Sequence, residues 1–191
     1  EGYHYTHDVK KYTLRLFLFA IISHFAYTFA FGIPFVPFRT TVFNQTSVIW
    51  ALALGLVSLS IVENPEIKQW QKTIFIILIA VIAFCADWSS IAVLAITDIG
   101  TNRGNFKKQM TRMMMWVAIY AVVYAVFISP VYGIVQMFTV LTIPLLKMYN
   151  GERGKSKNMK WLFYVYYPLH LVICGIIRIA LNGNIGVLIG G

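Results

Sequence analysis

The sequence predicts an all-α fold, a polytopic bundle of about six or seven membrane segments, and three observations carry that prediction. Of the 191 residues, 59% are hydrophobic and 12% are charged, with a mean hydropathy of +0.70, far above what a water-exposed surface tolerates. The apolar residues fall in runs long enough to count as crossings, since a bilayer span takes about 20 residues at ~1.5 Å rise each. The Lys and Arg gather in short links between those runs, as the positive-inside rule expects. The net charge of +9 therefore reads as membrane orientation, and nucleic acid is set aside as a partner.

The elements follow in order. The chain opens "EGYHYTHDVKKY", where Glu1, His4, His7 and Asp8 have metal-like spacing beside Tyr3, Tyr5 and Tyr12. The pattern reads as an interfacial anchor, and no metal is predicted. A first apolar run covers about residues 13–33 and stops at Gly32 and Pro34. A second covers about 45–62, followed by the polar link "ENPEIKQWQK". A third, about 73–100, is interrupted by Asp87, Ser89, Ser90, Thr97 and Asp98. Further runs cover about 113–131, 132–146 and from 161 onward. Cys85 and Cys174 both lie inside apolar runs, so neither a disulfide framework nor a zinc site is indicated.

Orientation follows from the cations. Lys10, Lys11 and Arg15 precede the first run; Arg103, Lys107, Lys108 and Arg112 form one link; Lys147, Arg153, Lys155, Lys157 and Lys160 form another. All three are expected to be cytoplasmic. Parity then requires residues 73–100 to enter and return, as two short helices meeting near Asp87 and Trp88. Each half, ~20 Å long, falls short of the ~30 Å hydrocarbon core. Broken backbone at that depth is tolerated only within protein or along a cavity. The sequon "NQT" at Asn44 receives no weight.

Several polar residues fall at membrane depth. In "WLFYVYYPLHLVICGIIRIAL", His170 lies nine residues past Trp161, ~13 Å into the bilayer. Pro168 frees the Tyr164 carbonyl, Tyr166 and Tyr167 lie one turn before His170, and Arg178 two turns after it. Ionisable groups in spans mark function by default; the alternative is a kinked helix whose neutral His bonds a carbonyl. In the first run, Ser23, His24, Tyr27 and Thr28 share one face, so two histidines at similar depth either face one cavity or only hold helices together. Asp87 calls for an Arg, His or backbone donor as partner, whereas Asp98 marks the end of its half-helix.

The blocks "EGYHYTHDVKKYTLRLFLFAIIS", "LALGL", "ADWSSIAVLAI" and "FYVYYPLHL", in that order, resemble the TraX family of integral membrane proteins, over essentially the whole chain. That resemblance implies a single transmembrane domain over residues 1–191 in the bacterial cytoplasmic membrane, and a link to pilin acetylation. It further implies kinship with acyltransferase-3 type enzymes, with cytoplasmic acetyl-CoA as donor and a peptide or glycan acceptor. Family members begin with one or two further spans carrying an Asp-His pair, so the chain is expected to lack those spans and a principal catalytic His. In this reading His170 and Asp87 are the catalytic candidates, and Tyr167, His24, Ser89, Ser90 and Arg178 line the acceptor site. Arg103, Lys107, Lys108, Arg153, Lys155 and Lys157 meet the CoA phosphates. The competing expectation is a non-catalytic transporter, channel or pilus assembly component whose polar residues line a path or bind another span.

Overall fold

The computed structural model describes residues 2–36, 39, 44–150 and 159–186. Asp8 starts the first helix by accepting the Lys11 N–H at 2.9 Å, and this backbone hydrogen bond holds its carboxyl below the usual carboxylate range. Helix α1 (Val9–Phe31) then runs to Gly32, whose φ of 65° is left-handed. A Cβ there would lie 2.7 Å from Arg178 Nη1, so the position needs glycine for its conformation and for its space.

The remaining elements are α2 (Val48–Glu63), α3 (Gln69–Ala83), α4 (Ser89–Thr101), α5 (Phe106–Phe127), α6 (Pro130–Met137), a 3₁₀ segment (Phe138–Thr142), α7 (Ile143–Lys147) and α8 (Met159–Asn182). Helices α1, α5, the Pro130–Lys147 stretch and α8 are long and apolar enough to cross a membrane; α2, α3 and α4 are shorter apolar helices. The fold is a helical bundle of an integral membrane protein. As expected, the 73–100 region is two short helices with their break at Asp87 and Trp88. Two boundaries differ from the sequence reading. The second run starts as helix only at Val48, because Asn44 bends with a positive φ of 50° and residues 45–47 are non-helical. The run from Pro130 is interrupted by the 3₁₀ segment.

One end of the bundle, the basic end, carries Arg103 and, at the start of α5, Lys107 and Lys108. The start of α1, the ends of α2 and α4, the start of α5 and Tyr149 beyond α7 converge there around one groove. Helices α2 and α4 pack closely: a Cβ on Gly55 would lie 2.6 Å from Ile96, and the buried Thr97 and Ser58 hydroxyls are hydrogen-bonded at 2.9 Å. Small residues and short polar bridges are the means of close packing available where lipid removes the hydrophobic drive. Helix α8 lies on α1 through Leu171 and Tyr167 against Ala26, Tyr27 and Ala30. The Pro130–Lys147 stretch turns its apolar side chains outward, with Val131, Ile134, Leu141 and Leu145 exposed.

Helix lengths fix the depth of the centre. At ~1.5 Å per residue, α2, α3 and α4 extend only ~20–24 Å from the basic end, short of the ~30 Å core. Their far ends therefore meet inside the bundle, where residues 44–47 and 84–88 cross.

Candidate functional site

Irregular backbone at that depth needs internal partners, and these two segments supply them to each other. Gln45 N–H donates to Cys85 O at 2.8 Å and Asp87 N–H to Thr46 O at 2.8 Å, a single parallel bridge between Thr46 and Ala86. The last turn of α3 tightens, with Phe84 N–H turned to Val81 O. That leaves Ala80 O for the Ser90 hydroxyl, which donates at 2.6 Å and ties α4 to α3. Trp88 and Ser89 both hold positive φ, 65° and 51°, a costly pair for non-glycine residues that persists only when surroundings over-determine it. Here the Asp87 carboxylate accepts the Trp88 N–H at 3.1 Å, Ser89 N–H donates to Ala86 O at 2.8 Å, and the Trp88 ring stacks on Tyr120 at 4.2 Å.

Several of the side chains gathered on this junction are polar. Asn44, Gln45, Thr46 and Ser47 are all buried. The Tyr124 hydroxyl donates to Asn44 Oδ1 at 3.2 Å, and Asp87 lies within electrostatic reach of the phenols of Tyr27, Tyr120, Tyr124 and Tyr167. Tyr167, on α8, approaches Ser47 and the Val48 backbone; among the described residues Ser47 Oγ and Ser23 Oγ are buried with no hydrogen-bond partner within bonding geometry.

His24 enters from α1. Its Nε2 lies 2.8 Å from Phe35 O and its Nδ1 3.1 Å from Thr46 Oγ1. A carbonyl only accepts, so Nε2 carries the proton; in the neutral ring Nδ1 then accepts from the Thr46 hydroxyl. Both side chains line a cavity of about 490 Å³ with Ala20, Ile21, Trp50, Val81, Ile82 and Cys85. The arrangement is a base fixed by one partner and aimed at a hydroxyl, which suits proton transfer.

The sequence candidates fall into groups. Asp87, His24, Tyr167, Ser89 and Ser90 all belong to the junction. His170 does not join it directly: its Nδ1 lies 3.2 Å from Tyr166 O, one turn back on α8, and its ring stacks on Tyr166 and meets Tyr167 edge-on at 5.2 Å. Among the described residues no hydrogen bond links His170 to Asp87. Helix α8 continues through Pro168. Arg178 is buried, with Nε donating to Ala30 O at 2.9 Å, Nη2 to Phe29 O at 3.2 Å, and Nη1 to Ile185 O. Its guanidinium thus satisfies the carbonyls that end α1. Asp98 accepts the Trp116 indole N–H at 2.9 Å and sits 3.8 Å from Arg112 Nε, joining α4 to α5.

At the basic end, Arg103 lines a groove of about 470 Å³ with Tyr3, Tyr12, Phe106 and Gln109, and its guanidinium stands 5.5 Å from the Tyr5 ring centre. Lys107, Lys108 and Arg112 line a separate hollow of about 390 Å³ at the start of α5. Arg153, Lys155 and Lys157 lie outside the described residues. Among the described residues, no group of three or more His, Cys, Asp or Glu side chains could hold a metal ion.

The residues that sequence reasoning missed are Asn44, Gln45, Thr46 and Ser47. The available signal was four uncharged polar residues in a row directly ahead of an apolar helix, with no cation to make the segment a surface link.

A family model described as TraX protein matches residues 1–178. The chain is similar to the protein named "Probable fimbrial assembly protein FimC, serogroup H1" of Dichelobacter nodosus, 23% identical over 180 residues, covering 91% of this chain and 73% of that relative. No solved structure matches the chain.

Proposed function

Because this chain belongs to the TraX family, we propose that it is a membrane acetyltransferase, moving an acetyl group from acetyl-CoA to a peptide or glycan acceptor at the junction of residues 44–47 with 84–90. The observation that carries this reading is the His24 ring, held by Phe35 O and aimed at Thr46 beside the cavity. Acyl transfer needs a base to take the acceptor's proton, and a neutral imidazole is suited to that near neutral pH. Asp87 and the surrounding phenols supply a fixed polar field in a low-dielectric site, where such groups act strongly on developing charge. His170 acts through Tyr167, as part of the wall. Arg103, Lys107 and Lys108, with Arg153, Lys155 and Lys157, meet the phosphates of acetyl-CoA from the cytoplasmic side, which the positive-inside rule assigns to the basic end. The membrane is then the bacterial cytoplasmic membrane.

A second reading has its own support. The relative is named for fimbrial assembly, and a non-catalytic assembly component would use the same buried polar groups to bind another membrane segment. The full-length protein in nanodiscs, given acetyl-CoA and peptide or glycan acceptors, separates the two. The enzyme reading expects acceptor-dependent release of CoA that Asp87→Asn lowers at least tenfold with folding preserved. Protein that restores fimbrial assembly in cells yet neither binds nor consumes acetyl-CoA would instead establish the assembly role.

A further inference from the structure

We propose that Thr46 is an acyl-accepting nucleophile, activated by His24, so that transfer proceeds through an ester on the Thr46 hydroxyl rather than directly from donor to acceptor. This rests on the transferase reading above and specifies its route. A covalent nucleophile needs a base within hydrogen-bond reach and a third group that orients the base. Thr46 Oγ1, His24 Nδ1, His24 Nε2 and Phe35 O form that sequence, with separations of 3.1 Å and 2.8 Å.

Thr46 is held for the task. Its carbonyl accepts the Asp87 N–H at 2.8 Å, and it stands in the Thr46–Ala86 bridge, so its backbone cannot swing away without breaking the junction. The N-cap of α2 follows at Ser47 with no side-chain cap, which places the positive end of a helix next to the carbon that would be attacked. The cavity that Thr46 and His24 share is walled mainly by apolar side chains, so an ester formed there is kept from water.

The groove and the cavity are lined from one row of α1, with Ala20 buried between them in a cluster with Phe19 and Ile49. Tyr12 and Leu16 line the groove at the basic end that also holds Arg103, and Ala20 and His24 line the cavity. These residues are spaced by four along one helix ridge. Tyr12 and His24 stand ~18 Å apart along the axis, a span for a donor carried on a long flexible thioester arm with its phosphates at the Arg103 end. Ile21, Val81 and Ile82, on the cavity rim, are exposed on the outside of the bundle. A membrane-borne acceptor reaches the ester from that side, without meeting the donor.

The step balances. Thr46 Oγ1 attacks the thioester carbonyl carbon while His24 Nδ1 takes the hydroxyl proton. The C–S bond breaks, and the CoA thiolate recovers that proton from the imidazolium. The products are acetyl-Thr46 and free CoA. The acceptor amine or hydroxyl then attacks the ester carbonyl carbon while His24 Nδ1 takes its proton; the C–O bond to Thr46 Oγ1 breaks, the imidazolium returns the proton to Oγ1, and the products are the acetylated acceptor and free Thr46.

The test uses the full-length protein in nanodiscs, mixed with acetyl-labelled acetyl-CoA without acceptor, quenched in acid and read by peptide mass spectrometry alongside CoA release. We expect a burst of CoA of one equivalent per protein and the label on Thr46. Thr46→Val, nearly isosteric, abolishes both; Thr46→Ser keeps both; His24→Gln slows the burst on the order of 100-fold, as loss of a positioned base does. Acceptor-dependent CoA release that persists in Thr46→Val with no label overturns the covalent route and leaves the transferase reading standing. Label on another residue likewise overturns it. Failure of the wild type to bind or consume acetyl-CoA with any acceptor removes both.

Discussion

His24 and His170 occupy similar apolar helices, yet their surroundings differ in kind. His24 is held at both nitrogens by groups from other parts of the chain, Phe35 O and Thr46 Oγ1, beside a cavity. Among the described residues His170 meets a carbonyl of its own helix, and it stacks on Tyr166, which is exposed. The difference teaches that a titratable ring at membrane depth can be held by its own helix or by separate segments that converge on it, and only the second brings other polar groups to the ring. The expensive part of the junction is its irregular backbone, and the side chains around it exist in a geometry that backbone dictates.

The largest effect expected to break this comparison is on stability. Tyr120 is buried under Trp88 in the junction, so Tyr120→Ala should cost about 3–5 kcal/mol, the range for removing a buried aromatic. Tyr166→Ala, at the exposed ring beside His170, should cost less than about 1 kcal/mol. Thermal unfolding in one detergent measures both, and equal losses would mean that the junction is no better packed than the surface of α8. Next comes Arg178→Met, which strips the carbonyls of Phe29 and Ala30 of their donor. It should lower stability by about 2–3 kcal/mol, the scale of hydrogen bonds from a charged group. The KM for acceptor should stay unchanged in the folded fraction; a raised KM with unchanged unfolding would return Arg178 to acceptor binding. The smallest effect is at the basic end. Replacing Arg103, Lys107 and Lys108 by Gln should raise the KM for acetyl-CoA several-fold at low salt and progressively less as salt screens the charges, read from CoA release at two ionic strengths.

Much of this architecture was legible in the sequence. Composition and the placement of cations gave the membrane bundle, and parity together with Asp87, Ser89 and Ser90 located the broken helices. What could not be read was which distant segment completes the break. Residues 44–47 are a short polar row at the head of an apolar run, and only the pairing of Gln45 and Asp87 with Cys85 and Thr46 sets them against the broken helix. Arg178 presents the same difficulty from the other side: its depth suggests substrate, while two of its partners are carbonyls nearly 150 residues earlier in the chain and a third is Ile185 O. Arg103 and Lys107, four residues apart, read as one patch, but Asn105 caps a new helix between them and sends them to different hollows.

A working base at the junction, and not beside Pro168, separates two variants. His24→Gln and His170→Gln should be compared in the full-length protein, as acceptor-dependent CoA release per folded molecule. The expected result is a fall of at least about 100-fold for His24→Gln and less than about tenfold for His170→Gln. The reverse order, with His170→Gln inactive and His24→Gln close to wild type, would contradict the account and move the site to α8.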